Sequence, residues 1–314
     1  MNAERAMQPK FRNRQLAGTL LLLAAIALFD AWLASFPNRQ ELGWRAAEIE
    51  FQPVSLAAAG FAPLRLAEAW RLTSTDPRFG GVSSLAIDGE ELVALTDAAA
   101  LIRFRPGCND ARIGELPDGP GPGGFKRNRD SEALVRDSLG RGWWLTFENR
   151  HGLWLFDRGF RGTLQRIDLG GRGWAANRGI EGLATDGDAL LLFHEDGDRL
   201  LRVTGTQVRS FPIAGARGPI SDAAAIDPGR YLAVERRVTP FGFRNALVSL
   251  EKADDGYRFG RRVALPVGPL DNVEAIAVER RAGGALRLWL MTDDNFQRPF
   301  RTLLIALDGP PPRQ

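Results

Sequence analysis

The sequence predicts an all-β protein, a β-propeller of five blades, on three observations. The first is a recurring phrase in which a small or acidic residue opens a short apolar run, a turn follows, and a second apolar run ends in a carboxylate. Val82-Ser83-Ser84-Leu85-Ala86-Ile87 leads to Val93-Ala94-Leu95-Thr96-Asp97, and Ser131-Glu132-Ala133-Leu134-Val135 leads to Trp143-Trp144-Leu145-Thr146-Phe147-Glu148. Ile180-Glu181-Gly182-Leu183-Ala184 leads to Leu190-Leu191-Leu192-Phe193-His194-Glu195, and Ser221-Asp222-Ala223-Ala224-Ala225-Ile226 leads to Tyr231-Leu232-Ala233-Val234-Glu235. Val273-Glu274-Ala275-Ile276-Ala277 leads to Leu288-Trp289-Leu290-Met291-Thr292-Asp293. The second observation is the spacing: Ser83, Glu132, Glu181, Asp222 and Glu274 are 49, 49, 41 and 52 residues apart. A period in the forties with strand-like content belongs to propeller repeats, whose small sheets bury their faces only by packing around a common channel. The third is the supply of 35 glycines and 19 prolines, which suits a chain with many tight turns.

Taken in order, residues 1–15 carry four basic side chains against one acid, and Leu16 to Phe29 runs 14 residues without a charge. Past Asp30 the chain stays apolar or small to Phe36. The 21 residues from Leu16 to Phe36 would be about 31 Å long as a helix, enough to cross a bilayer. Residues 1–36 are therefore expected to be a signal sequence or membrane anchor, with the rest of the chain periplasmic or otherwise outside the cytoplasm. Ala31-Trp32-Leu33-Ala34 is a poor cleavage site, which favours an anchor in the inner membrane.

Residues 37–60 read as a linker and an entering strand over Ile49–Leu56, and residues 61–309 as the propeller. Leu64–Thr73 alternates well enough for a half-exposed strand. Unit one is expected at 82–87, 91–96, 101–105 and 111–116, and unit two at 132–137, 142–147, 152–157 and 163–169. Unit three falls at 181–186, 189–193, 199–203 and 207–213, and unit four at 222–227, 230–234, 245–250 and 257–265. Unit five offers only 274–279, 285–291 and 301–307, so the strand at 64–73 is expected to complete it and remove an exposed edge. Residues 310–314 are a tail. A sixth blade would have to hide in 45–75, which has room for about two strands.

Of 41 basic residues only Lys10, Lys126 and Lys252 are lysine, and the formal net charge is +3. No basic stripe interleaved with aromatics is present, so nucleic acid is not an expected partner; the expected state is a monomer. Cys108 is alone, which excludes an internal disulfide and a cysteine metal cluster.

In an antiparallel pair the start of one strand lies beside the end of the next. Repetition around a ring therefore gathers Asp97, Glu132, Glu148, Glu181, Glu195, Asp222, Glu235, Glu274 and Asp293 at one mouth of the channel, with Asp294 able to replace Asp293. Such crowding demands protonation, arginine partners or a bound cation. Oxygen donors without cysteine suit Ca²⁺. Glu132, Glu181, Asp222, Glu274 and Asp293 are the candidate metal ligands. Glu148, Glu195, Glu235 and His194 are the candidate acids and bases, and Arg150, Arg178, Arg236 and Arg298 the candidate contacts to an anionic substrate. The competing assignment is that strand-end acids cap turns and stitch blades together. Tryptophans 143, 144, 154 and 289 read as packing.

Phe79-Gly80-Gly81-Val82-Ser83-Ser84-Leu85, Ser131-Glu132-Ala133-Leu134, Asn177-Arg178-Gly179-Ile180-Glu181-Gly182-Leu183, Asn272-Val273-Glu274-Ala275-Ile276 and Thr292-Asp293-Asp294-Asn295 together resemble the bacterial phytase-like family described as "esterase-like activity of phytase". The resemblance runs over roughly residues 60–308. It implies an exported propeller related to phosphate-ester hydrolysis, although the Asp-rich loops of calcium phytases are missing. The leading expectation is thus a metal-assisted hydrolase of small anionic esters. A non-catalytic binding propeller of the cell envelope and a lactonase-like propeller are the alternatives.

Overall fold

The computed structural model describes residues 43–309, apart from 124, 176 and 216–217. The expected anchor and the tail lie outside the described residues. Among those described, no helix is long and apolar enough to cross a membrane.

Twenty-two strands form five antiparallel meanders. In chain order, β1 (Arg45–Glu48), β2 (Glu50–Pro53) and β3 (Arg65–Thr73) come first. Blade one follows as β4 (Val82–Asp88), β5 (Glu91–Thr96), β6 (Ala100–Phe104) and β7 (Asp110–Glu115). Blade two is β8 (Ser131–Arg136), β9 (Gly142–Phe147), β10 (Gly152–Asp157) and β11 (Thr163–Asp168). Blade three is β12 (Ile180–Asp186), β13 (Ala189–His194), β14 (Arg199–Thr204) and β15 (Gln207–Ala214). Blade four is β16 (Ile220–Asp227), β17 (Arg230–Thr239), β18 (Gly242–Ala253) and β19 (Gly256–Leu265). Blade five takes β20 (Asn272–Arg280), β21 (Leu286–Asp293) and β22 (Leu303–Gly309), and its outer strand is β3, antiparallel to β22. Short edge strands finish the first and last blades. β1 pairs with β7 and β2 with β3, so residues 45–53 tie the outer edges of blades one and five together over the buried Ile49. A two-residue parallel pairing, Ile213 with Tyr257 and Ala214 with Arg258, joins the rims of blades three and four.

The innermost strands pack side by side in the order β4, β8, β12, β16, β20 and back to β4. Each of the five gaps between neighbouring blades holds its own apolar cluster. Alternate side chains of one strand serve opposite gaps, as strand geometry requires. Leu190 and Leu192 face blade two, whereas Leu191 and Phe193 face blade four. Burial on both faces is why these strands read as continuous apolar runs rather than as an alternation.

Every innermost strand carries a β-bulge near its start. The register with the second strand slips between Val82 and Ser84, Ser131 and Leu134, Ile180 and Gly182, Ile220 and Asp222, and Val273 and Ala275. The equivalent bulge residues are therefore Ser83, Glu132, Glu181, Ser221 and Glu274. In blade four this is one residue before the position read from the acids, because a one-residue shift moves a side chain to the other face of the strand. Hydrogen bonds confirm the equivalence: Ser83 Oγ donates to Ser131 O (2.7 Å), and Ser221 Oγ donates to Val273 O (3.0 Å).

Asp222 is therefore equivalent to Ser84, and both stitch their blade to the next. The Leu134 N–H donates to Ser84 Oγ (3.0 Å), and the Ile276 N–H donates to Asp222 Oδ2 (2.9 Å). Asp222 Oδ1 also accepts the Ala223 N–H (2.8 Å). Ser84 and Asp222 belong to blades that are not neighbours, yet Ser84 Oγ donates to Asp222 Oδ2 across the axis at 3.3 Å. On the far side of this contact the channel opens as a funnel of about 180 Å³ lined by Leu85, Leu134, Leu183, Ala224 and Ile276.

The second departure from expectation is the β17–β18 hairpin, which turns at residues 240–241 where a loop over 235–244 was expected. Gly242 permits it, with φ of 109° and a Cβ position that would fall 2.0 Å from Pro269 O.

Asp222→Ala leaves the buried Ile276 and Ala223 N–H groups without their acceptor. The expected loss is about 2–4 kcal/mol of unfolding free energy in urea, with no effect on calcium affinity measured by titration calorimetry.

Candidate functional site

At the start of the innermost strands, the bulge and the end of the second strand place two side chains per blade at one level. The bulge contributes Ser83, Glu132, Glu181, Ser221 and Glu274. After the second strand the next residue turns back through a backbone bond: Asp97 N–H to Gly81 O, Glu148 to Asp130, Glu195 to Gly179, and Arg236 to Pro219. Asp293, paired with Asn272, holds this position in blade five. The mouth thus combines Asp97, Glu132, Glu148, Glu181, Glu195, Glu274 and Asp293 with one guanidinium, that of Arg236.

Charge crowding shows in the acids themselves. Glu132 is held well above the usual carboxylate range by burial and then by Glu181, Asp130, Glu148 and Glu274. Glu181 is likewise raised by burial, with Glu274, Glu148 and Glu195 adding to the effect and Arg236 opposing it. Burial, then Glu274, Asp97 and Asp294, push Asp293 up to about 8, against the Asn295 N–H that its carboxylate accepts at 2.7 Å. Arg236 bonds Glu274 Oε1, which also accepts the Asn272 amide at 2.6 Å. Its charge is reinforced by Glu274, Glu181, Glu195 and Glu132.

Several expected roles change with this register. Arg236 was expected to contact substrate; it fills the slot that holds a carboxylate in the other blades and neutralises the ring. Glu235, expected as an acid or base, is the residue before that slot. It is fully buried and pairs with Arg237 (2.7 Å) and Arg262 (3.0 Å). Asp222, expected as a ligand, is the blade stitch described above. His194 shares the buried register of Thr96, Phe147, Glu235 and Thr292. Its Nδ1 accepts the Asp196 N–H (3.2 Å), so the proton of the neutral ring sits on Nε2, and burial holds its pKa below the ordinary value. It packs on Trp174, with ring centroids 4.8 Å apart.

The remaining arginines stand on the rim. Arg178 bonds Asp196 and lies 4.0 Å from Glu195 Oε2. Arg150 Nη2 donates to Asn128 Oδ1 (3.0 Å), and Arg298 is exposed on the loop before β22. Glu195 Oε2 is buried and accepts no hydrogen bond among the described residues.

Among the described residues, one group of acids is arranged so that it could hold a metal ion. Asp130, Glu132 and Glu148 each offer a carboxylate oxygen, and these oxygens lie within 4.8 Å of one another. Two oxygens on opposite sides of a calcium ion, each about 2.4 Å from it, are separated by about this much. The donors are all hard oxygens, and burial together with like charge makes Glu132 costly to ionise without a cation nearby. Asp130 escaped the sequence reading because it precedes the strand rather than opening it. Its carbonyl accepts the Glu148 N–H (2.8 Å), and Oδ2 accepts the Asn149 amide (2.6 Å). The adjoining run Arg129-Asp130-Ser131-Glu132 was the available signal.

The raised carboxyls fix the sign of the pH dependence. Between the unfolded carboxylate pKa near 4 and the Asp293 value of about 8, the raised carboxyls keep protons that the unfolded chain has released, against the opposite and smaller contribution of His151 and His194. Stability in chelator therefore falls as pH rises through this window. Thermal melts should show a lower Tm at pH 8 than at pH 5, and Asp293→Asn should flatten that slope. Arg236→Gln removes the ring's counter-ion and should cost about 2 kcal/mol or more, with the larger loss at pH 8.

The chain resembles several solved propeller-bearing structures at low identity. Glutaminyl cyclase of Myxococcus xanthus matches at 13% identity and a TM-score of 0.49, over 78% of this chain and 96% of that one. The RRP9 WD40 repeats match at 9% identity and a TM-score of 0.43, over 83% and 100%. Hydrazine synthase of Kuenenia stuttgartiensis matches at 11% identity and a TM-score of 0.40 over 73% of this chain; the match spans 63% of that chain, less than two thirds. A comparison with curated proteins finds no match. The family model of the phytase-like proteins, described as "esterase-like activity of phytase", matches residues 77–296, from the loop before β4 to the loop after β21. The chain belongs to the phytase-like family.

Proposed function

We propose that this protein is an exported, metal-assisted hydrolase of small phosphate or related anionic esters, with Ca²⁺ held at the acidic mouth by Asp130, Glu132 and Glu148. The observation that carries the reading is the convergence of their three oxygens within 4.8 Å, inside a ring in which Glu181 and Asp293 are already driven toward protonation. A divalent cation there supplies positive charge against the ester's anionic oxygens and makes a neighbouring water a better nucleophile.

The chain's own groups supply the rest. Arg178, Arg150 and Arg298 stand on the rim where an anionic substrate arrives, and guanidinium groups match phosphate geometry. Glu195 offers a buried oxygen that accepts no hydrogen bond among the described residues and is suited to take a proton from water. Asp293, raised to about 8, keeps a proton at neutral pH and is suited to give one to a leaving group. Arg236 holds Glu274 and limits the repulsion that the cation has to offset.

The test is turnover of a chromogenic phosphomonoester by the full-length protein, beside a chromogenic lactone and a carboxylic ester. Activity should disappear in chelator and return with Ca²⁺, and Glu132→Gln should lower kcat/KM by about 100-fold, the scale of one lost charge-stabilising contact. Activity indifferent to chelation rejects the metal role. A calcium-dependent rise in Tm with no turnover on any ester rejects catalysis in favour of ligand binding.

A further inference from the structure

Apolar exposure on this propeller is concentrated at one end. Six large apolar side chains are exposed among the described residues, and four of them lie at the acidic mouth: Val238 near the end of β17, and Phe241, Leu270 and Phe296 on loops. Leu139 lies in the β8–β9 turn at the opposite end, and Leu164 on the outer strand β11. The most exposed are Phe241 at 83% and Val238 at 76%, both at the tip of the β17–β18 hairpin. In the other blades the second strand stops at mouth level. β17 continues past Arg236 through Thr239, three residues that at about 3.4 Å each carry the strand about 10 Å beyond the acids. The hairpin is braced: Phe243 N–H donates to Pro269 O (2.7 Å), and the Phe243 ring packs on Phe300 at 6.1 Å.

The charged side chains of the projecting hairpin itself are of one sign. From Arg236 to Leu250 the chain holds three arginines and no acid. Arg237 and Arg244 face each other directly across the hairpin. Arg237 reaches back to Glu235, while Arg244 is exposed. Arg298 is exposed on the neighbouring mouth loop. An apolar tip with a collar of arginines matches an interface that is apolar within and anionic at its surface.

The chain also arrives from this side. β1 begins opposite the mouth end of β7, Arg45 pairing with Ile113, and Gly43 O lies 3.0 Å from the Cβ position of Gly114.

We propose that the acidic mouth faces an anionic lipid bilayer, with Val238 and Phe241 entering the headgroup region and Arg244 and Arg298 contacting lipid phosphates. The docking stands without the hydrolase reading, and its test uses no turnover. The full-length protein, in a Cys108→Ser background, carries a polarity-sensitive fluorophore on Val238→Cys or, as the opposite-end control, on Leu139→Cys. Each is bound to vesicles of phosphatidylcholine and phosphatidylglycerol containing a spin-labelled quencher lipid. Quenching at position 238 should exceed that at 139 by about two-fold or more. It should drop toward the control with Arg244→Glu or when phosphatidylglycerol is left out. Equal quenching at the two positions, or stronger quenching at 139, overturns the proposal. Shielding of position 238 that grows with protein concentration in the absence of vesicles also overturns it, because a second copy then covers the tip.

Discussion

The innermost strands of all five blades break their pairing with the second strand at one level, and what fills the channel mouth depends on that break. A bulge inserts a residue that the partner strand does not match. The unmatched side chain is freed from the blade gaps, where its neighbours are committed to apolar packing. Three blades spend this freedom on a glutamate and two on a serine that bonds the adjacent strand. The residue after the break stitches its blade to the next where it is polar, at Ser84 and Asp222, and is small elsewhere, at Ala133, Gly182 and Ala275. Packing and site chemistry are therefore interleaved along one strand, a residue apart.

Two opposing demands meet in the ring. Apolar clusters between the blades hold the inner strands close, and that closeness forces like charges together with little water to separate them. Arg236 answers part of the demand by bonding Glu274 and lying near Glu181, Glu195 and Glu132. Elevated carboxyls at Glu132, Glu181 and Asp293 mark what it leaves unanswered. A ring of this kind is built at the expense of stability, which is the usual sign that such residues serve something other than the fold.

Much of the architecture was legible in the chain itself. Strand positions in the first three blades follow the repeat to within a residue, because both faces of each strand are buried and the apolar runs are unbroken. The closing role of residues 65–73 followed from counting a missing strand. The site was less legible where chemistry and register diverge. Aligning blade four on its acids put Asp222 and Glu235 into mouth positions that Ser221 and Arg236 occupy, since no composition or period reveals a bulge. Asp130 was passed over because it lies outside the repeat phrase, and the long hairpin because Arg236 and Arg237 resemble a polar loop.

The Ser84–Asp222 contact has a bearing on traffic through the molecule. It spans the axis between blades that are not neighbours, so a side-chain bridge crosses the channel between the acidic end and the funnel. A solute passing along the axis would first have to part this bond.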